Sequence, residues 1–344
     1  MGNSIQDSNI TILVPTYNRY HYLYRLLQFF KMYSFPFRMV ILDSSSERYQ
    51  CDDFRKYFES ERITYLKFNS NIHPNRKMYI GCNQVETPYV VLCADDDFII
   101  PQALVRAIDF LKKNGDFRIA HGRGILFKIV DTKLQYLEPY FQRSIESNTA
   151  SERLLEHLRS YTPMFYSVHH TKDLKQNLHL SLKFEQAPLF WELLPSCLSV
   201  IQGKAKMIDQ LYLVRENCPV ITYAQVVINY RKKEFFDKLL SLDFLKNYEI
   251  SKEILASEIV KKDGIKFSDA EDVVKRAFFL YFEKCLKRGL DKDVSGVKKI
   301  FLNTLKTHYK LKNYFYNKYT VFFNRDFREV HKILVQNKNL SGAL

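Results

Sequence analysis

The sequence predicts an α/β protein: a largely parallel sheet covered by helices on both faces, followed by a mostly helical C-terminal region. Two observations carry this. Over the first hundred residues, short apolar β-branched runs alternate with segments of helical apolar spacing, the pattern of repeated strand–helix–strand units. After Arg231 the strand signals nearly vanish and helical periodicity, with lysines on the opposite face, takes over.

Taken in order, Asn9 to Val14 is a β-branched run stopped by Pro15, and Tyr20 to Tyr33 carries Leu23, Leu26, Leu27 and Phe30 at helical spacing. Phe37 to Leu42 is a second strand ended by the polar run Asp43-Ser44-Ser45-Ser46-Glu47. Phe54 to Phe58 is a short helix, Ile63 to Phe68 a third strand, Arg76 to Val85 a helix and Tyr89 to Cys93 a fourth strand. Pro101 opens a helix through Leu111, since proline suits a first helical turn. Farther on, His121 to Val130 reads as a strand, and Ser151 to Leu158 and Trp191 to Val200 as helices. Four helical segments follow: Leu239–Val260, Ala270–Lys287, Val294–Lys306 and Phe327–Gln336. The expected division is an α/β domain over 1–225 and a basic helical region over 226–344.

A chain of 344 residues with 46% hydrophobic and 26% charged residues can bury a large core, which excludes a disordered or fibrous chain. The six cysteines form no CxxC pair, so neither a zinc knuckle nor a disulfide framework is expected. The first residues, MGNSIQDSNI, lack the basic start and apolar centre of a secretion signal, and no run is apolar enough to span a bilayer. The expected location is the cytoplasm, at the inner face of a membrane. The net charge is +14, and 25 basic against 15 acidic residues lie from Arg231 onward. Such a surface suits an anionic partner: acidic lipid, phosphorylated substrate or nucleic acid.

The densest chemistry is Ala94-Asp95-Asp96-Asp97-Phe98, directly after the fourth strand. Three adjacent carboxylates at a buried strand end repel one another and call for a counter-ion. A hard cation, Mn²⁺ or Mg²⁺, answers that need and also binds phosphate oxygens. Val14-Pro15-Thr16-Tyr17-Asn18-Arg19 closes the first strand and Asp43 the second, so three strand ends present polar groups to one sheet edge. In open α/β sheets that edge is where ligands bind. The bland alternative is an acidic turn capping the helix from Pro101.

VPTYNR, then LDSSS, then a helix, a strand and DDD, resembles the N-terminal half of the family 2 glycosyltransferases, which are inverting enzymes with a GT-A fold. The resemblance covers residues 9 to 220. It implies that Pro15, Thr16, Tyr17 and Arg19 line the donor pocket and that Asp43 contacts the base. It also implies that Asp95 and Asp97 hold the metal, with Asp95 and Asp96 beside the donor. Ala94 stands where the family's first aspartate can also align, so the motif leaves the ligand pair open. Asn75-Arg76-Lys77 and Gly81 match part of a family helix whose cations, Arg76 and Lys77, would touch the diphosphate. Glu192, eleven residues before Gly203, stands where the family has its catalytic base. Trp191 replaces the preceding acid and would stack on the acceptor sugar. Glu185 is the reserve base, Arg215 would neutralise the leaving diphosphate, and His169 and His170 are candidates for a third metal ligand.

The function so implied is metal-dependent, inverting transfer of a sugar from a nucleotide-diphosphate donor, UDP above all, to a glycan or lipid-linked acceptor, as in surface polysaccharide synthesis. The basic helices, rich in Tyr and Phe, would meet an anionic membrane face or form a homo-oligomer interface. Two other readings stand beside it. A nucleotidyltransferase of similar fold needs a glycine-rich loop after the first strand, which PTYNR lacks. A nucleic-acid-binding protein would use the basic C-terminal helices, yet their lysines alternate with acids as on solvated faces.

Overall fold

The computed structural model describes residues 9–46, 52–130, 133–140, 142–216, 239, 241–290 and 325–336. The helix expected at Val294–Lys306 lies outside these residues. Nine described strands form one sheet: β1 (Ile10–Thr16), β2 (Arg38–Asp43), β3 (Ile63–Lys67), β4 (Tyr89–Leu92), β5 (Phe98–Ile99), β6 (Phe117–Val130), β7 (Lys133–Tyr140), β8 (Val168–His170) and β9 (Lys204–Glu216). Their order is β3-β2-β1-β4-β8-β6-β9-β5, with β7 paired to β6. The first four are parallel, as expected, but β8 runs antiparallel to β4 and β6, and β5 antiparallel to β9. The sheet is therefore mixed. Strands of two and three residues, such as β5 and β8, are too short to leave a periodic signal, which is why the sequence does not predict the antiparallel pairings they make.

The β-branched run of β1 is buried on both sides, the signature of a strand inside a covered parallel sheet. Ile10, Ile12 and Val14 point into a core with α1 (Tyr20–Met32) and α4 (Pro101–Lys113). Leu13 points the other way and packs with Leu42, Val90 and Leu92 against Met78 and Cys82 of α3 (Pro74–Asn83) and Leu174 and Leu178 of α6 (Thr171–Ser181). A short helix, α2 (Asp52–Phe58), adds Phe54 and Tyr57 to the α1 side.

A second core joins α5 (Ala150–Arg159) and α7 (Pro188–Gln202) to α8 (Leu242–Asp263) and α9 (Phe267–Leu290). Leu154 and Leu158 of α5 meet Phe190, Leu194 and Cys197 of α7, Leu255 and Ile259 of α8, and Val274 and Phe278 of α9. Asp263, the last residue of α8, accepts the backbone N–H groups of Ala150 and Ser151 at 2.7 and 2.9 Å. That carboxylate satisfies two otherwise open donors at the start of α5. The last described helix, α10 (Arg325–Gln336), inserts Val330, Ile333 and Leu334 into the core on the α1 side. Chain beyond residue 225 is thus packed against both halves of the sheet domain. None of the described helices is long and apolar enough to cross a membrane.

Two consequences can be measured. A Cβ at Gly81 would lie 2.3 and 2.6 Å from the methyl carbons of buried Leu42, so α3 sits on β2 at a distance only glycine permits. Gly81→Ala should cost about 1–3 kcal/mol, read as a lower urea midpoint with unchanged slope. His157 is buried against Ser196, and burial lowers its pKa from 6.5 to about 3. The unfolded chain therefore takes up a proton below pH 6.5 that the folded one refuses, and stability is lost as pH falls. His157→Asn should lose about 2 kcal/mol less than the parent between pH 7 and pH 5.

Candidate active site

The crevice is built where β1, β2 and β4 end. Register sets Thr16 opposite Asp43, and the Cys93 N–H bonds the Leu13 carbonyl at 2.9 Å, so Asp95–Asp97 emerge beside Thr16. The Thr16 hydroxyl donates to Asp95 Oδ2 at 2.7 Å. Asn18 adopts φ 52°, a left-handed conformation that asparagine tolerates. In this turn its N–H donates to Ser45 Oγ at 2.7 Å and its side-chain carbonyl accepts the Ser46 N–H at 2.9 Å. The loops after β1 and β2 are laced into one wall. Pro15 and Tyr17 are half-buried in that wall.

All three aspartates are buried, and each meets a different partner. Arg19 lies 3.3 Å from Asp95 Oδ1 and also donates to Asp96 Oδ2. Asp97 accepts the Glu216 N–H at 3.1 Å, and Arg215 stands 3.6 Å from its other oxygen. Burial raises the pKa of Asp95 to about 7, with Arg19 opposing and Asp96 reinforcing the rise. Asp97 is raised further, first by burial and then by Asp96. Burial, more than the neighbouring charges, disfavours the ionised forms of Asp95 and Asp97. Asp96, 8% exposed against 3% and 1% for Asp95 and Asp97, is the outermost of the three.

The donor set fits a hard divalent cation. Buried carboxylates with raised pKa values gain from added positive charge. Among the described residues no three His, Cys, Asp or Glu side chains are grouped as a closed cage. One or two carboxylates completed by phosphate oxygens is the usual way Mg²⁺ is held. On exposure, the more reachable pair is Asp95 and Asp96; Asp97, expected as a ligand, gives one oxygen to the Glu216 N–H of β9, while the other stands 3.6 Å from Arg215 and makes no hydrogen bond. His169 and His170 pair with Val90 and Tyr89, at the opposite end of β4 from the aspartates. His169 Nε2 is 2.9 Å from the Met164 carbonyl, so neither histidine serves this site.

Asp43 differs from its expected role. It is fully buried, and its carboxylate is engaged by the Ser45 N–H at 2.7 Å, the Tyr20 hydroxyl at 2.9 Å, Lys67 Nζ at 3.0 Å and the Tyr65 hydroxyl. Burial alone would raise its pKa, but these donors outweigh it and hold the carboxyl below its usual range. Asp43 thus organises Tyr20, Tyr65 and Lys67. The same holds for Lys77, whose buried ammonium donates to the Thr16 carbonyl at 2.8 Å and to Ser44 Oγ at 2.7 Å. Burial lowers its pKa to about 8. Lys77 clamps the ends of β1 and β2 from beneath. Arg76 makes a two-pronged ion pair with Glu185, at 2.8 and 3.2 Å, so these two candidates engage each other on the outside of α3.

The far wall comes from one short loop, residues 160–167, which the sequence did not mark. The Tyr161 hydroxyl donates to Glu192 Oε1 at 3.1 Å. Phe165 lies 6.4 Å from Trp191, whose indole also meets His73 edge-on at 6.0 Å. Tyr166 carries Arg215 over its ring at 5.0 Å. Three neighbouring aromatics of this loop thus touch Glu192, Trp191 and the arginine of Asp97. Pro188 starts α7, of which Trp191 and Glu192 are the fourth and fifth residues. Tyrosines and phenylalanines abound in this chain, so no composition signal could single these out.

Residues 11–170 match the model of glycosyl transferase family 2. Comparison with curated proteins finds no match. Among solved structures, the chain is similar to S. aureus TarS 1-349 in complex with UDP-GlcNAc, with a TM-score of 0.53 and 17% identity, covering 83% of this chain and 76% of that one. TarS 1-349 alone gives a TM-score of 0.50 and 17% identity over 83% and 75% of the two chains. At this identity the likeness is one of fold. The strand order, the crevice of strand ends and the likeness to TarS agree on a GT-A fold, and residues 11–170 are similar to glycosyl transferase family 2.

Proposed function

We propose that this protein transfers a sugar, with inversion, from a UDP-sugar to a hydroxyl of a glycan or lipid-linked acceptor. The observation that carries the reading is the convergence of Thr16, the Asp43 cluster and Asp95–Asp97 on one sheet edge, with Arg215 beside Asp97 stacked on Tyr166 of the loop whose Tyr161 and Phe165 touch Glu192 and Trp191. Solved TarS structures of the same fold contain UDP-GlcNAc and UDP, which supports a uridine donor.

Tyr17, Tyr20 and Tyr65 supply flat faces and hydroxyls for a nucleoside, and Asp43 holds the latter two in place. Asp95 and Asp96 would hold Mn²⁺ or Mg²⁺, which when bound neutralises charge on the diphosphate oxygens. Arg19 and Arg215 add fixed positive charge at the same edge, where the leaving group gathers negative charge. Glu192 takes the proton of the acceptor hydroxyl, since a carboxylate within hydrogen-bond reach can do so. Tyr161 holds that carboxylate through Oε1. Trp191, backed by Phe165 and His73, offers an apolar face to the acceptor ring. On α9, Phe279 is 67% exposed and lines one cavity with the basic residues Arg159, Lys275 and Arg276. This face suits an anionic surface bearing a lipid-linked acceptor.

The direct test is release of UDP from a panel of UDP-sugars, with and without Mn²⁺ and after chelation. Asp96→Asn should abolish the thermal stabilisation that UDP plus Mn²⁺ confers and lower turnover by about 10²–10³-fold, while the ligand-free melting temperature stays the same or rises. Full turnover in that variant refutes the cation site. Glu192→Gln should bind UDP-sugar as the parent does yet lose transfer by about 10²–10⁴-fold. Tyr161→Phe should lower kcat by about tenfold with donor KM unchanged. Loss of transfer in Glu185→Gln with retention in Glu192→Gln would move the base to Glu185.

A further inference from the structure

Arg19 touches both reachable aspartates at once, and that has a consequence for the order in which ligands enter. Its guanidinium lies 3.3 Å from Asp95 and in direct contact with Asp96, where an ion held by those two carboxylates would have to sit. The side chain is braced from behind. The Tyr22 ring lies 4.4 Å from the Arg19 guanidinium and 4.8 Å from that of Arg25, which is itself paired with buried Glu216 at 2.5 Å. Glu216 in turn donates its N–H to Asp97. A cation arriving alone must displace a guanidinium that is held on one side by two carboxylates and on the other by an aromatic face. It would also leave that guanidinium beside the incoming charge. A nucleoside diphosphate changes both terms, because its oxygens complete the cation's coordination and offer the guanidinium a two-pronged acceptor.

Resting on the cation site proposed above, we infer that Arg19 is an internal counter-ion that holds Asp95 and Asp96 until the diphosphate arrives, making cation binding depend on the nucleotide. Arg19 is a positioning residue in this role: it moves from the carboxylates to the phosphates as the cation takes its place. Cation and nucleotide are then coupled, and each tightens the other by the same factor.

The test is calorimetric titration of the full chain with Mn²⁺, with and without saturating UDP. The parent should bind Mn²⁺ weakly alone and at least about tenfold more tightly with UDP. Arg19→Gln should bind Mn²⁺ alone about tenfold more tightly than the parent, with a correspondingly smaller gain from UDP. Arg19→Lys, which keeps the charge without the fork, should fall between the two, and it decides the matter if Arg19→Gln fails to fold. Mn²⁺ affinity without UDP that is equal to or weaker than the parent's, in a folded variant, overturns the inference while leaving the cation site standing. No Mn²⁺ binding by the parent even with UDP overturns the cation site and the inference together.

Discussion

The crevice depends on the burial of three adjacent carboxylates at the end of β4. Removal from water disfavours their ionised form, and the pKa of Asp95 rises to about 7, chiefly by burial and secondarily by repulsion from Asp96. Much of the local architecture answers that charge. Arg19 covers Asp95 and Asp96, Arg215 stands beside Asp97, and the Glu216 N–H turns one Asp97 oxygen toward β9. A strand end so loaded is stable enough to fold yet disfavours its own ionised carboxylates, which suits a site that gains a cation and a diphosphate together.

Around it, buried ionic groups act on one another before they act on any ligand. Asp43 is enclosed by Ser45, Tyr20, Tyr65 and Lys67, and Lys77 bonds the ends of β1 and β2. Such interactions hold loops at a fixed spacing, and a donor site needs that rigidity because its polar groups must meet the diphosphate without rearranging. The contact surface is passed outward to tyrosines, arginines and Asp96. Loop 160–167 couples the two sides, since Tyr161, Phe165 and Tyr166 touch Glu192, Trp191 and Arg215 in turn.

The helices beyond residue 240 are structural partners of this site as well as an addition to it. Tyr281 of α9 packs edge-on against Tyr161 at 5.5 Å, so the residue holding Glu192 is itself seated by the C-terminal region. Asp263 caps α5, which leads into loop 160–167, and α10 packs on the α1 side of the sheet.

What the sequence determined by itself was the first four parallel strands, the strand over His121–Val130 and the strand ends that carry chemistry. β1, β2, β3 and β4 are long apolar runs closed by Pro15, Asp43, Phe68 and the aspartates, and period and punctuation are local properties. Thr16, Asp43 and Asp95–Asp97 were legible for that reason. Tertiary structure alone decided which of those side chains face the crevice. Asp97 and Lys77 turn inward, Asp96 outward, and Arg76 engages Glu185, because those choices depend on partners 33 to 119 residues away. The short strands β5 and β8, and the aromatic loop before β8, also escaped the sequence. Their identity lies in pairing across the sheet, and two or three residues hold too little pattern to announce it.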